Sequence, residues 1–417
     1  MVELLARAKG RPVAGLGAAC SRPAGPLGDA IVRYASQNSP YYASLLEGVE
    51  RFEDIPSLTK PVAPANFDHI LVPDLHPERL LRAWTSGSTG APVAFVTDAW
   101  AGPACEAARA RLLDLAGIPR GVHVVLVLTD PTLPPGLTGW TGFPMRGTVR
   151  DNLRERLSTL DRLGDYILYG IASALEWIAT QLERDARPLP MPAPVAVVTT
   201  ADTLTLTGRG RIERAFGCPV HSWYGSTETD PSLAGTLPGD HDRYVLNEDR
   251  AYVEVADEDG RPCAPGERGQ VLITDLHSRC FPLLRYAVGD LAVMSERGYG
   301  ASRVLERLDG RRSTIVELAN GSLITESNLH LVLIRDPRAI ECVEALQGVQ
   351  TGPMSLELSV VWRDRRDDRT ARAIQGRAKD LWGDDLDVEL RDVERLELLP
   401  SGKRWLLRRL EPVARPS

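Results

Sequence analysis

Four apolar runs punctuate the middle of the chain, at residues 122–129, 165–169, 195–200 and 220–224. The first is almost continuously apolar, as a strand covered on both faces must be. The segments between them, 151–163, 171–184 and 210–216, place their apolar residues at helical spacing. This alternation predicts a mostly parallel sheet with crossover helices. In open sheets of that kind, ligands bind beyond the C-terminal ends of the strands. Upstream, residues 1–57 read as helical and peripheral, with an amphipathic helix around 29–34 that Ser39-Pro40 ends. Residues 100–117 also carry a helical pattern.

The period changes after Arg243. Residues 252–255 and 270–274 read as strands joined by a turn-rich segment, a small antiparallel unit on the same large domain. It changes again after Leu308-Asp309-Gly310. There 315–318 and 323–325 flank Asn320-Gly321, a hairpin signal because both central positions favour positive φ. A helix near 326–333, strands near 339–346 and 354–361, a helix near 369–381 and a strand near 386–393 complete an α+β unit of domain size. The expected fold class is therefore α/β. A large N-terminal domain, 1–309, has mostly parallel sheets with crossover helices plus the antiparallel unit, and a small α+β C-terminal domain, 310–417, follows.

Length and composition agree with two domains. The 417 residues are 43% hydrophobic and 25% charged, the balance of a soluble globular protein. Asp and Glu outnumber Lys and Arg by 56 to 49, for a net charge of -7, which argues against nucleic acid or an anionic membrane as partner. The six cysteines lie far apart with no C-x-x-C pair, as expected of thiols in a reducing cytoplasm. No signal peptide and no membrane-spanning run is expected.

Candidate chemistry begins at Thr85-Ser86-Gly87-Ser88-Thr89-Gly90-Ala91-Pro92, set between two short strand-like segments. Gly87 and Gly90 permit close backbone approach. Successive N–H groups and the hydroxyls of Ser86, Ser88 and Thr89 can cradle an anion. The same stretch also reads as a plain Ser/Gly-rich hairpin loop. Tyr224-Gly225-Ser226-Thr227-Glu228-Thr229 follows a strand. Tyr224 offers a flat face to a purine, Thr227 a hydroxyl to a phosphate, and Glu228 a hard oxygen to magnesium; without a ligand it is a β-turn with a polar tip. Arg285-Tyr286-Ala287-Val288-Gly289-Asp290 ends a strand with a carboxylate able to hold a ribose diol. Gly310-Arg311-Arg312 reads as a linker or as a joint carrying a phosphate-binding cation. Leu399-Pro400-Ser401-Gly402-Lys403 presents a lysine on a turn.

In order and spacing these five pieces resemble the adenylate-forming superfamily of acyl-CoA synthetases, luciferases and peptide-synthetase adenylation domains. Ile55-Pro56-Ser57-Leu58-Thr59-Lys60 and Phe281-Pro282-Leu283-Leu284-Arg285-Tyr286 look most like its phenylacetate–coenzyme A ligase branch. The resemblance runs from about Leu46 to Lys403. It implies that Thr85 to Gly90 wrap the phosphates of ATP. Ala201 and Asp202 would line the adenine, with Tyr224 stacked on it and Gly225 beside it. Thr227 would touch the α-phosphate, Glu228 would ligate Mg2+, Asp290 would bind the ribose and Arg311 the ribose or phosphate. Lys403 would bridge carboxylate and α-phosphate, and Gly310 to Ser313 would form a hinge. Ala91, Asp202 and Ser313 depart from the usual residues at their positions, which bears mainly on the second half-reaction.

The function so implied is AMP-forming activation of a small carboxylic acid, aromatic if Trp140 and Phe143 line its pocket, followed by transfer to coenzyme A. Adenylation requires positioning and charge neutralisation rather than a nucleophilic side chain. An alternative keeps the adenylation and changes the acceptor to a carrier-protein thiol, an amine or another small nucleophile. A second is a catalytically silent nucleotide-binding protein, against which Glu228, Asp290 and Lys403 argue. The branch resemblance suggests a homodimer.

Overall fold

The structure, a computed structural model, describes residues 25–73, 80–84, 94–98, 102–128, 133, 139–145, 148, 150–185, 187–226, 228–229, 232–237, 239–311, 316–320, 322–324, 329, 331–334, 337–398 and 405–409. The chain divides into two compact units, residues 1–120 with 223–308 and residues 121–222 with 309–417.

In the first unit the helix Gly25–Asn38 stops at Ser39, and Pro40 opens the next helix, Pro40–Leu45, where its missing N–H costs nothing. These helices were expected to be peripheral and are not. Ile31, Val32, Ala35 and Tyr42, followed by Phe52, Ile55 and Leu58, are buried against Val253, Val255, Val271, Ile273, Phe281 and Tyr286. The reason is the sheet they cover. Ala251–Ala256, Arg268–Asp275 and Tyr286–Met294 run antiparallel in that order, extending the two strands expected from the sequence to three. Val304–Arg311, Tyr244–Leu246 and Ala234–Thr236 continue the order. Leu80–Trp84 and Ala94–Asp98 form a separate antiparallel pair with Trp84 opposite Ala94.

The second unit contains the expected parallel sheet. His123–Leu128, Tyr166–Ile171, Ala196–Thr200 and Val220–Tyr224 pair in parallel, the last through Val220–Ser222. Helices Ala172–Asp185 and Leu206–Phe216 pack on them through Leu175, Ile178, Leu182, Ile212 and Phe216. Thr205 caps the second helix by accepting from Gly208 N at 3.0 Å, and Gly217, at φ 67°, ends it in the left-handed region. A further parallel strand, Trp140–Pro144, is not among those expected from the sequence.

Residues 316–407 hold their own core. A four-stranded sheet, ordered Asp387–Asp392, Ser355–Trp362, Val343–Gly352 and Leu407–Arg409, is covered by helix Asp368–Trp382. Asp367 caps that helix at Thr370 N (2.9 Å), and Ile374, Ala378 and Trp382 form its buried face. The Asn320 hairpin is present as Val316–Glu317 against Leu323–Ile324. Residues 337–342 are helix rather than the start of a strand, because Pro337 sits at a helix start where its fixed φ fits.

Candidate active site

Strand Val220–Tyr224 leaves the sheet at Gly225 and turns at once. Thr229 N donates to Ser226 O at 3.2 Å, and the two hydroxyls of Ser226 and Thr229 lie 3.0 Å apart, so residues 226–229 close on themselves. Glu228 is half-buried in this turn. The Tyr286 hydroxyl donates to Glu228 Oε1 at 3.1 Å. The Tyr224 hydroxyl donates to Asp290 Oδ2 at 2.8 Å. Two segments about sixty residues apart in the sequence are thereby tied together twice, with a carboxylate in each tie.

Asp290 was expected at the end of a strand and lies inside one, Tyr286–Met294. The difference is a bulge. Leu272 pairs with Ala287 and Gln270 with Leu291, so three residues, Val288 to Asp290, stand opposite one. Gly289, at φ 84°, supplies the left-handed backbone this requires. A Cβ at Gly289 would sit 3.8 Å from Lys60 Nζ, so a cation stands beside the bulge. In the sequence Lys60 stands out only as the last residue of the Ile55–Lys60 segment that carries the branch resemblance.

The bulged strand is fixed from behind by Arg285. It is 1% exposed and adopts φ 45°, a backbone region costly to a side chain. Its amide donates to Thr274 Oγ1 at 2.9 Å, its Nε to Glu254 at 3.1 Å, and Nη1 to Ile55 O at 2.8 Å. Leu58 N donates to Arg285 O and Ala287 N to Leu58 O, which docks the Ile55–Lys60 segment against the strand. Burial pushes the Glu254 carboxyl above its usual range, and Arg285 opposes that rise.

A second buried pair stands behind the Glu228 turn. Arg250 donates to Asp275 from Nη1 (2.5 Å) and Nη2 (2.9 Å), and Nη2 also donates to Thr229 O at 2.9 Å. Burial acts to raise the Asp275 carboxyl, but Arg250 and the N–H groups of His277 and Ser278 outweigh it and hold it below the usual range.

In the second unit, Ala201 and Asp202 follow the C-terminal end of strand Ala196–Thr200, where ligands of parallel sheets bind. Ala201 is at φ 72°, one of two non-glycine residues in the left-handed region among those described. Such strain persists only where the surroundings impose it, and it clusters at functional sites. Asp202 accepts from Ser173 N at 3.2 Å and so caps helix Ala172–Asp185. Phe143 is buried in one core cluster with Leu153 and Leu157, with the Arg156 guanidinium over its ring at 5.6 Å. Trp140 meets Tyr169 edge-on at 6.4 Å.

Thr85, Ser86, Gly87, Ser88, Thr89, Gly90, Thr227, Ser313 and Lys403 lie outside the described residues, as does the side chain of Arg311. Gly310 lies in strand Val304–Arg311 at φ 84°. Among the described residues no cluster of three His, Cys, Asp or Glu side chains could hold a metal. Glu228 suits magnesium differently. It is one hard carboxylate, oriented by Tyr286, and magnesium is commonly held by one or two carboxylates with substrate phosphates and water. Among the described residues no helix is long and apolar enough to cross a membrane.

No family model matches the sequence. Over 105 residues the chain is 32% identical to phenylacetate-coenzyme A ligase of Escherichia coli (strain K12), a match covering 25% of this chain and 24% of that protein. The chain thus matches about a quarter of that relative's length. Among solved structures it resembles 2-hydroxyisobutyryl-CoA ligase in its postadenylation state in complex with R3-HIB-AMP. The TM-score is 0.71 at 18% identity, over 92% of this chain and 89% of that one. The chain has the fold of the adenylate-forming ligases. Another protein with a similar backbone is the amide bond synthetase McbA from Marinactinospora thermotolerans, with a TM-score of 0.54 at 17% identity, over 79% of this chain and 67% of that one. The adenylate-forming fold and the sequence motifs are separate observations, one resting on backbone path and the other on short residue patterns, and they agree.

Proposed function

We propose that this chain is an ATP-dependent, AMP-forming ligase that converts a small carboxylic acid to its acyl-adenylate and transfers the acyl group to coenzyme A. The observation that carries the reading is the double tie of Tyr224 to Asp290 and Tyr286 to Glu228 on an adenylate-forming fold. It presents two oriented carboxylates, suited to a ribose diol and to a phosphate-bound cation.

A substrate carboxylate oxygen attacks the α-phosphorus, the bond to the β-phosphate oxygen breaks, and pyrophosphate leaves with the electron pair. Magnesium, when bound, supplies charge neutralisation on the phosphates. Glu228 would hold it, Asp290 would fix the ribose hydroxyls, and Tyr224 orients Asp290. The sequence resemblance adds the remaining roles. Thr85 to Gly90 wrap the phosphates, Ala201, Asp202, Tyr224 and Gly225 receive the base, Thr227 and Arg311 contact phosphate or ribose, and Lys403 neutralises charge during attack. The thiol of coenzyme A then attacks the acyl carbon and AMP departs. Residues 310–417 act as the small mobile domain, turning at Gly310 to Ser313 between the two steps. We place the enzyme in the cytoplasm as a homodimer, from its widely spaced cysteines and its branch resemblance.

Acid-dependent exchange of pyrophosphate into ATP, screened over aliphatic and aromatic acids, tests the reading. Absence of exchange together with absence of ATP binding by calorimetry, for folded protein, would overturn it; binding without exchange would favour a catalytically silent nucleotide-binding protein. A second reading retains adenylation and uses an amine or a carrier-protein thiol as acceptor. The likeness to an amide bond synthetase favours the amine. Comparison of AMP release with coenzyme A against a panel of amines separates the two.

A further inference from the structure

We propose that Arg250, locked by Asp275, is a positioning residue that sets the turn carrying Glu228. The Arg250 side chain is 1% exposed and that of Asp275 2%. The guanidinium meets the carboxylate through two donors, a geometry that fixes its plane as well as its place. So fixed, it gives Nη2 to the carbonyl of Thr229, the residue after Glu228. Asp275 is itself anchored by His277 N (2.8 Å) and Ser278 N (3.0 Å).

The turn at Asn247–Arg250 grips the segment a second time. Arg250 N donates to Asn247 O, while the Asn247 side-chain amide donates to Ser232 O at 2.9 Å and to Ala108 O at 2.8 Å. The carbonyls of Thr229 and Ser232, three residues apart, are thus both held from residues 247–250. On the other side Tyr286 holds Glu228 itself. A buried ion pair is an expensive way to gain stability, since apolar residues of the same size often serve as well. Here the pair does what apolar residues cannot, by directing a donor at one backbone carbonyl. Groups that orient a metal-binding carboxylate commonly affect metal affinity 10- to 100-fold.

The proposal rests on the reading of Glu228 as the magnesium-binding carboxylate, and the test separates the two. Arg250→Lys keeps the charge opposite Asp275, but a single ammonium cannot reproduce the fork and also reach Thr229 O. ATP binding is measured by calorimetry over a magnesium titration, alongside Glu228→Gln and the unaltered protein. We expect Glu228→Gln to abolish the magnesium-dependent gain in ATP affinity. We expect Arg250→Lys to raise the magnesium concentration at half-effect about 10-fold or more and to leave magnesium-free ATP affinity within about twofold. Asp275→Asn, which loosens the fork without touching Arg250, should move the same quantity in the same direction, and it serves where Arg250→Lys does not fold. An unaltered magnesium titration in these variants, or equal losses with and without magnesium, overturns the positioning role while leaving Glu228 in place. An unaltered titration in Glu228→Gln overturns the reading of Glu228 and the proposal with it.

Discussion

The Tyr224 hydroxyl donates to Asp290 Oδ2 at 2.8 Å across 66 residues of sequence, and both side chains are buried. One partner ends a strand; the other sits in a bulge that Gly289 allows. The bond makes the orientation of a carboxylate depend on the position of an aromatic ring, so a ligand that contacts either one meets both already in place.

Tyr224→Phe tests that dependence. The ring stays and the donor goes. A hydrogen bond to a charged group contributes about 1.5–3 kcal/mol, and part of it should appear as lost stability. The reading of Asp290 as the ribose carboxylate adds a sharper expectation. KM for ATP should rise about tenfold, the equivalent of about 1.4 kcal/mol, with kcat in pyrophosphate exchange changed less than about twofold. A large fall in kcat at unchanged KM would place Asp290 in the chemical step instead.

The element types were legible where periodicity is strong. The parallel strands and crossover helices of residues 123–224, the Asn320 hairpin and the helix Asp368–Trp382 lie close to where the pattern puts them. The strand Trp140–Pro144 was not legible, because Gly142 and Pro144 read as turn residues and its pairing with Val124–Leu128 is a tertiary fact. The burial of residues 31–58 was missed for a related reason. A helical pattern shows that a face is apolar, not that a three-stranded sheet awaits it. Asp290 was found as a candidate but placed at a strand end, since a bulge leaves no period of its own in the sequence. Tyr286 and Arg250 were passed over because the residues they act on, Glu228 and Thr229, lie 58 and 21 positions away.

His221 carries a pH prediction. Burial, with the Arg209 charge adding to it, pushes the imidazole down from 6.5 to about 4. It is therefore neutral in the folded protein at neutral pH, and its buried Nε2 finds no hydrogen-bond partner among the described residues. A depressed pKa means that the unfolded chain takes up the proton first. The stability contribution is full above about 6.5 and is lost as pH falls toward about 4. At about 1.4 kcal/mol per pKa unit the loss is at most about 3.5 kcal/mol. His221→Gln, which does not titrate, should flatten the acid side of the stability profile. Denaturant unfolding of both proteins at pH 7 and pH 5 measures the difference. Parallel profiles for the two would show that His221 does not set the acid limb.

Lys403 separates the two half-reactions. It follows Pro400-Ser401-Gly402, residue types that favour a turn, in the small domain proposed to move. In the proposed mechanism its charge is needed only while the carboxylate attacks the α-phosphate, and the nucleotide contacts assigned above to Glu228 and Asp290 do not involve it. Lys403→Ala should therefore remove acyl-adenylate formation and leave ATP binding by calorimetry nearly unchanged. Supplied with pre-formed acyl-adenylate and coenzyme A, the same variant should complete the transfer at close to the unaltered rate. Gly310 gives the opposite test. It holds φ 84°, which proline cannot adopt, so Gly310→Pro perturbs the start of the proposed hinge. That variant should lose more of the transfer step than of adenylation. Equal damage to both steps by Lys403→Ala would mean that residues 310–417 stay in one arrangement throughout the reaction, and that Ser313, where the superfamily usually has a charged hinge residue, is the first position to restore.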